Sequence, residues 1–199
     1  MNRLHLMAAA VLAAASTLSG CASIRAGGGW QTLIDGASGL DNWTRSAEAN
    51  WRAEDGAIVA DRRPGTDNAF LVSKNSYKDF QLRAEFWVSD DANSGIYMRC
   101  SEARPLTDRT CYEANIFDRR PDPTYGTGAI VHLAKVDPMP KAGGKWNTYD
   151  ITVKGNRMAL LLNGVQTAQA EDDKLRSGPI ALQYAGGVVK FRKVQVRPL

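Results

Sequence analysis

The chain has 199 residues, with 25 Lys+Arg against 21 Asp+Glu, 2 histidines and 3 cysteines, for a net charge of +4 at pH 7. That excess is mild and spread along the chain without a dense basic cluster, which argues against a nucleic-acid partner. Two histidines, one of them near the N-terminus, do not make a multi-histidine metal centre, and the length suits one domain with one core.

The chain opens with a cation at Arg3, an apolar run over 6–15 and the ending Leu18-Ser19-Gly20-Cys21. This pattern predicts a bacterial export signal over residues 1–20. Its end resembles a lipobox, in which Cys21 is acylated and becomes the first mature residue; the plainer alternative is a cleaved signal with an incidental cysteine. The apolar run is too short to span a bilayer comfortably, so the lipid would be the membrane anchor. Ala22, rather than an aspartate, follows the cysteine; by resemblance to bacterial sorting rules this favours the outer membrane, with the domain facing the periplasm. Residues 21–29 read as the lipidated cysteine and a flexible tether ending in three glycines, with a reach of about 15 Å. The domain proper is expected over 30–199.

Beyond the tether the pattern is of strand type. Short β-rich runs fall at 30–34, 51–53, 58–61 and 69–73, then at 80–88, 95–100, 112–118, 129–134, 149–154, 158–162, 165–168, 180–184 and 188–196. Turn signals separate them, including Asp55-Gly56, Pro64-Gly65, Asn93-Ser94-Gly95 and Ser177-Gly178-Pro179. Asn163-Gly164 marks the clearest hairpin, since the dipeptide fits a type I′ turn. Only 170–176 reads as a helical turn. The expectation is all-β: an antiparallel sandwich of two sheets. Of the cysteines, Cys100 and Cys111 remain after export. An oxidising compartment favours a disulfide between them, over a reactive thiol or a metal ligand.

Alternation then sorts the side chains. Phe80, Leu82, Ala84, Phe86 and Val88 make one face of their strand; Ile96, Met98 and Cys100, then Tyr112, Ala114 and Ile116, and later Ile180, Leu182 and Tyr184, make others. If these sets face the core, one sheet presents Glu85, Trp87, Tyr97, Arg99, Glu113, Asn115 and Gln183 on its outer side. Carboxylates, an arginine, amides and flat rings are what a polyhydroxylated ring needs for recognition. The competing reading is an ordinary solvated sheet with cross-strand charge pairs. Trp43, Trp51 and Trp146 read as packing aromatics, and His132 as a packed or surface histidine. No cofactor is expected; Asp90, Asp91 and Asn93 offer calcium ligands in a turn, with solvated turn residues as the plainer reading.

The series Leu33-Ile34-Asp35-Gly36, Asp41-Asn42-Trp43, Tyr77 to Leu82, Asn93-Ser94-Gly95-Ile96-Tyr97-Met98-Arg99, Tyr112 to Asp118, Lys145-Trp146-Asn147 and Gly178-Pro179-Ile180-Ala181-Leu182-Gln183 resembles the 3-keto-disaccharide hydrolase domain family. The resemblance implies a jelly roll related in shape to laminin-G and concanavalin-type lectins. It also implies an activity: a carbonyl at C3 of a sugar acidifies the C2–H, a base removes that proton, the enolate expels the C1 substituent, and water adds. By this resemblance Glu113 is the base, Arg99 the stabiliser of enolate charge and Asp118 an acid or orienting group, while Glu85, Asn115 and Gln183 hold hydroxyls; Trp87 and Tyr97 are the rings that alternation sets beside them to cover the sugar's C–H surface. Two departures stand out: Asn115 replaces the family's usual glutamine, and Tyr184-Ala185-Gly186 stands where many members have His-Gly. The rival from another class is a glycan-binding module without catalysis at the outer membrane; a third is a structural envelope protein.

Overall fold

The computed structural model describes residues 29–102 and 105–199; the expected export signal, Cys21 and most of the tether lie outside them. Thirteen strands follow in order: β1 Gln31–Asp35, β2 Trp43–Ser46, β3 Arg52–Glu54, β4 Ala57–Ala60, β5 Ala69–Tyr77, β6 Phe80–Val88, β7 Ser94–Met98, β8 Tyr112–Ile116, β9 Trp146–Lys154, β10 Arg157–Leu162, β11 Val165–Glu171, β12 Gly178–Tyr184 and β13 Val189–Pro198. They form two antiparallel sheets. An eight-stranded sheet runs β11-β10-β9-β6-β13-β4-β3, with β1 also paired to β13; a five-stranded sheet runs β2-β5-β12-β7-β8. The fold is the two-sheet, jelly-roll type of sandwich.

Local chemistry accounts for the elements. In β6 every second residue is buried: Phe80, Leu82, Ala84, Phe86 and Val88 enter the core, while Gln81, Arg83, Glu85 and Trp87 stay outside. The strands facing it contribute Ile96, Met98, Ala114, Ile116, Ile180 and Leu182. Each fully buried large apolar side chain contributes about 1.5–3 kcal/mol, before chain entropy is counted. Trp43 and Trp51 are in this core as expected, with Trp51 edge-on to Tyr184 at 6.3 Å. At the expected hairpin, Asn163 and Gly164 both have positive φ (52° and 82°), as a type I′ turn requires.

Three expectations change. Residues 170–176 are not helical, because β11 continues to Glu171 and an irregular stretch with a bend at Lys174 follows. The run 129–134 does not make a full strand; it docks on the free edge of β8 through a bridge from Ala114 to Ile130, then turns. Trp146 is not a core residue. It sits 38% exposed on the outer face of the eight-stranded sheet, since Asn147 and Tyr149 take the inward positions of β9.

Cys100 and Cys111 are joined in a disulfide. Residues of the loop it closes fold back over the five-stranded sheet. Leu106, Cys100 and Cys111 pack there on Phe70, Val72, Tyr97 and Ala181, forming a small second cluster apart from the main core.

Candidate functional site

The centre of the outer face of the five-stranded sheet is a polar chain laid across three strands. Register places Tyr97 opposite Glu113, and Gly95 opposite Asn115. Their inward neighbours Ile96, Met98, Ala114 and Ile116 are core, so Tyr97, Glu113 and Asn115 point the other way. From β12, Gln183 joins them: its Nε2 donates to the Tyr97 hydroxyl at 3.0 Å. Tyr97 in turn donates to the Glu113 carboxylate, and Phe70 packs edge-on against the Tyr97 ring at 5.1 Å. Room for the carboxylate comes from Gly95, where a Cβ would lie 2.7 Å from Glu113 Oε1.

Electrostatics follow from burial. Glu113 is 4% exposed, and its pKa is pushed up to about 8: loss of water is the main cause, the Tyr97 hydrogen bond opposes it, and the Asp108 charge raises and the Arg120 charge lowers it by smaller amounts. Burial, then the Glu113 charge, also pushes the Tyr97 phenol well upward. Two acceptors beside them, Asn115 Oδ1 and Gln183 Oε1, are buried without a hydrogen-bond donor. An orphaned buried acceptor costs about 1–3 kcal/mol unless a ligand or water supplies the proton. Two such atoms next to a carboxylate that holds its proton near neutral pH form a site suited to hydroxyl donors and to proton transfer.

The rim comes from the two covering segments. Asp108, in the disulfide loop, accepts or shares a proton with His132 Nε2 at 2.8 Å. His132 has φ +66°, a left-handed conformation uncommon for a residue with a side chain, and its ring lies 6.1 Å from that of Tyr125. Asn115 fixes this rim by donating from Nδ2 to the Tyr125 carbonyl at 2.7 Å. Asp108 and Arg120 were absent from the sequence-based site; no local pattern marks a loop residue that reaches a sheet face only by folding back.

Four sequence-based candidates are corrected. Arg99 does not accompany Glu113. β7 stops at Met98, and Arg99 has φ +49°, which breaks the alternation: Cys100 emerges on the outer face and Arg99 turns between the sheets. There it is 1% exposed and makes four hydrogen bonds, donating from Nε to the Lys78 carbonyl (2.7 Å), from Nη1 to the carbonyls of Gly155 (2.8 Å) and Leu175 (3.1 Å), and from Nη2 to Asp79 (2.9 Å). It is a clasp over the open end of the sandwich. Asp118 is likewise a clasp: its carboxylate accepts from Thr127 Oγ1 at 2.6 Å and from the amides of Ala142 and Gly143 at 2.9 Å. Glu85 and Trp87 belong to β6 and hence to the other sheet; Glu85 is ion-paired with Arg192 at 2.6 Å. In the turn that offers Asp90, Asp91 and Asn93, Ser89 donates to Asp91 at 2.6 Å and a backbone bridge joins Asn93 to Gly186. Among the described residues no group of three or more His, Cys, Asp or Glu gathers for a metal.

An open hollow of about 620 Å³ lies elsewhere, by Arg45, Asn50, Arg62 and Arg63. Arg45 and Arg63 are already committed there to the carbonyls of Trp51 and Asp67. Volume alone therefore does not compete with the chemistry around Glu113.

The model of the 3-keto-α-glucoside-1,2-lyase-like domain matches residues 29–197. The chain belongs to this family. No curated protein matches it. Among solved structures, a candidate glycosyl hydrolase from Parabacteroides distasonis superposes with a TM-score of 0.75 at 18% identity, covering 86% of this chain and 94% of that one. A second from the same organism gives 0.69 at 22% identity, over 86% and 100%. The carbohydrate-binding module CBM66 from Bacillus subtilis gives 0.55 at 16%, over 83% and 93%. At these identities the likeness is one of fold. The family match therefore carries the assignment to a carbohydrate-related hydrolase family, and the solved structures add the shared sandwich fold.

Proposed function

We propose that the protein cleaves 3-keto-glycosides at the outer face of the five-stranded sheet, with Glu113 as the base. The observation that carries this reading is Glu113 itself: a desolvated carboxyl with a pKa of about 8, beside two buried acceptors that lack donors. A carbonyl at C3 makes the C2 proton removable. Glu113 takes that proton, the electron pair forms the C2–C3 enolate, and the enolate expels the C1 substituent, which leaves with a proton from a general acid. Water then adds across the resulting alkene. With Arg99 removed from the site, Arg120 is the cation whose charge already reaches Glu113, and Tyr97 is the nearby hydroxyl. His132, hydrogen-bonded to Asp108, is the rim group able to deliver a proton to the departing oxygen. Asn115 Oδ1 and Gln183 Oε1 accept from sugar hydroxyls.

The domain acts in the envelope in this reading. Cys21 carries the lipid, the outer membrane holds it, and the sandwich faces the periplasm; a mass shift on the Cys21 residue of protein purified from membranes tests this. A second reading, a glycan-binding module without turnover, is favoured by Tyr184-Ala185-Gly186, which stands where many members of the family have His-Gly. Both readings meet one assay. Protein beginning at Ala22 is incubated with a 3-keto-glucoside, and release of the C1 substituent is followed. Release that is lost in Glu113→Gln with the fold intact supports catalysis. Binding without release supports the module, and release untouched by that substitution removes Glu113 from the mechanism.

A further inference from the structure

The outer face of the eight-stranded sheet carries what the Glu113 site does not use. Trp30, Trp87 and Trp146 lie there, the first and last 39% and 38% exposed. Trp87 and Trp146 are cross-strand partners on β6 and β9. Each ring has a cation over it: Arg192 stands 4.3 Å from the Trp146 centroid, Lys190 5.2 Å from Trp87, and Arg197 and Arg83 5.1 and 5.8 Å from Trp30. The outward positions of β6, β9 and β13 add Lys154 and Lys193, making six cations against the two carboxylates of those strands, Glu85 and Asp150, which pair with Arg192 and Arg83. Farther out on the same face Glu54 pairs with Arg52 and Glu171 with Arg157, leaving Lys154, Lys190, Lys193 and Arg197 as its cations without an ion-pair partner among the described residues. A bulge between Phe191 and Lys193 keeps Arg192 and Lys193 on the same side.

A sugar platform needs an open ring face, and these rings are capped by ammonium or guanidinium groups. Cations borne on amphipathic rings instead match the boundary of an anionic bilayer, where phosphates meet the cations and indole sits at headgroup depth. We infer that this face is a docking surface for anionic lipid headgroups. Its position supports that occupant. Trp30, at the edge of the face, is nine residues beyond Cys21, a length that spans at most about 30 Å when extended. The orientation rests on the lipid anchor proposed above: one acylated residue and one basic face together give the two signals that firm membrane association takes. Glu113 lies on the outer side of the opposite sheet, so docking this way leaves its site turned toward the aqueous compartment.

The test uses the chain from Ala22, which keeps all thirteen strands and carries no lipid. Vesicles of phosphatidylethanolamine with phosphatidylglycerol are compared with vesicles of phosphatidylcholine, by sedimentation and by quenching of tryptophan emission with brominated lipid. Expected are binding to the anionic vesicles at least about tenfold tighter, quenching, and loss of binding as salt rises from about 0.05 to about 0.5 M. Lys190→Glu with Arg197→Glu lowers binding by about tenfold or more. Trp146→Ala, a change at an exposed position, reduces the quenching and serves if the double variant does not fold. Equal binding to both vesicles, none to either, or unchanged binding by the variants overturns the assignment, as does capture by a sulfated polysaccharide without vesicle binding. Ketoglycoside release is measured on the same variants and stays at the parent value. Its absence from the parent would count against the proposed activity and leave the vesicle result standing.

Discussion

Gly95 lies beneath the Glu113 carboxylate, so close that a methyl group on it would stand 2.7 Å from Oε1 and 3.2 Å from Cγ. The position is a mid-strand one without a positive φ, so an alanine there meets no backbone obstacle and its effect on the folded state is steric. Glu113 must rotate or the strand pair must spread.

Gly95→Ala therefore tests whether the placement of the carboxylate matters separately from its identity. The clash costs about 1–3 kcal/mol, partly offset by the lower chain entropy of alanine in the unfolded state. Expected are a Tm drop of a few degrees and a loss of ketoglycoside release of about a hundredfold in kcat, as for a base displaced by an ångström. A folded Gly95→Ala enzyme with parent kcat would show that the carboxylate position is not limiting.

The raised pKa of Glu113 gives a pH signature with a defined sign. Its carboxyl titrates near 4.5 unfolded and about 8 folded, so the unfolded state releases the proton first. Glu113 therefore costs nothing below about pH 4.5 and progressively destabilises the fold as pH rises from there through 8. Glu113→Gln, permanently neutral, is expected to raise Tm relative to the parent at pH 9 and to leave it nearly unchanged at pH 4, read by thermal unfolding at both. Release by the parent rises with pH toward a pKa near 8, because only the ionised form accepts a proton. A flat stability difference between the two pH values would place the carboxyl in water.

Arg99 carries the opposite expectation, stability without catalysis. Its four hydrogen bonds tie the β5–β6, β9–β10 and β11–β12 connections to the end of β7. Arg99→Met takes this donor from three carbonyls and leaves Asp79 with the Gly155 amide in place of its ion pair, and is expected to cost about 3–5 kcal/mol. Denaturant unfolding reads that loss, while kcat per folded molecule stays within about twofold. A catalytic loss without a stability loss would return Arg99 to the site.

These contrasts show where the sequence was informative. Period-two alternation located the core faces of β6, β8 and β12 correctly, and with them the outward direction of Glu113, Asn115 and Gln183. Alternation fails at a single left-handed residue, and Arg99 is one; nothing in Met98-Arg99-Cys100 announces φ +49°. Sheet membership is also invisible to it. Glu85 has the same outward parity as Glu113, yet β6 pairs with β9 and β13, and β8 with β7, so the two carboxylates face away from each other across the sandwich. Asp108 and Arg120 reach the site through long connections whose paths depend on tertiary contacts rather than on periodicity.

The Cys100–Cys111 bridge closes the loop that bears both Leu106, which packs on Phe70 and Tyr97, and Asp108, which holds His132. Replacing both cysteines by alanine restores the conformational entropy of a loop with a sequence separation of 11, worth about 3 kcal/mol in the chain-entropy model. The cover then loosens over Tyr97, and water reaches Glu113. Rehydration lowers the Glu113 pKa from about 8 toward the ordinary carboxylate range, so the double variant is expected to lose stability and to shift the rising limb of its pH–rate profile to lower pH. Dithiothreitol treatment of the parent should reproduce both effects. If stability falls and the profile stays in place, the bridge staples the fold without setting the environment of Glu113, because burial by the loop is what links the two.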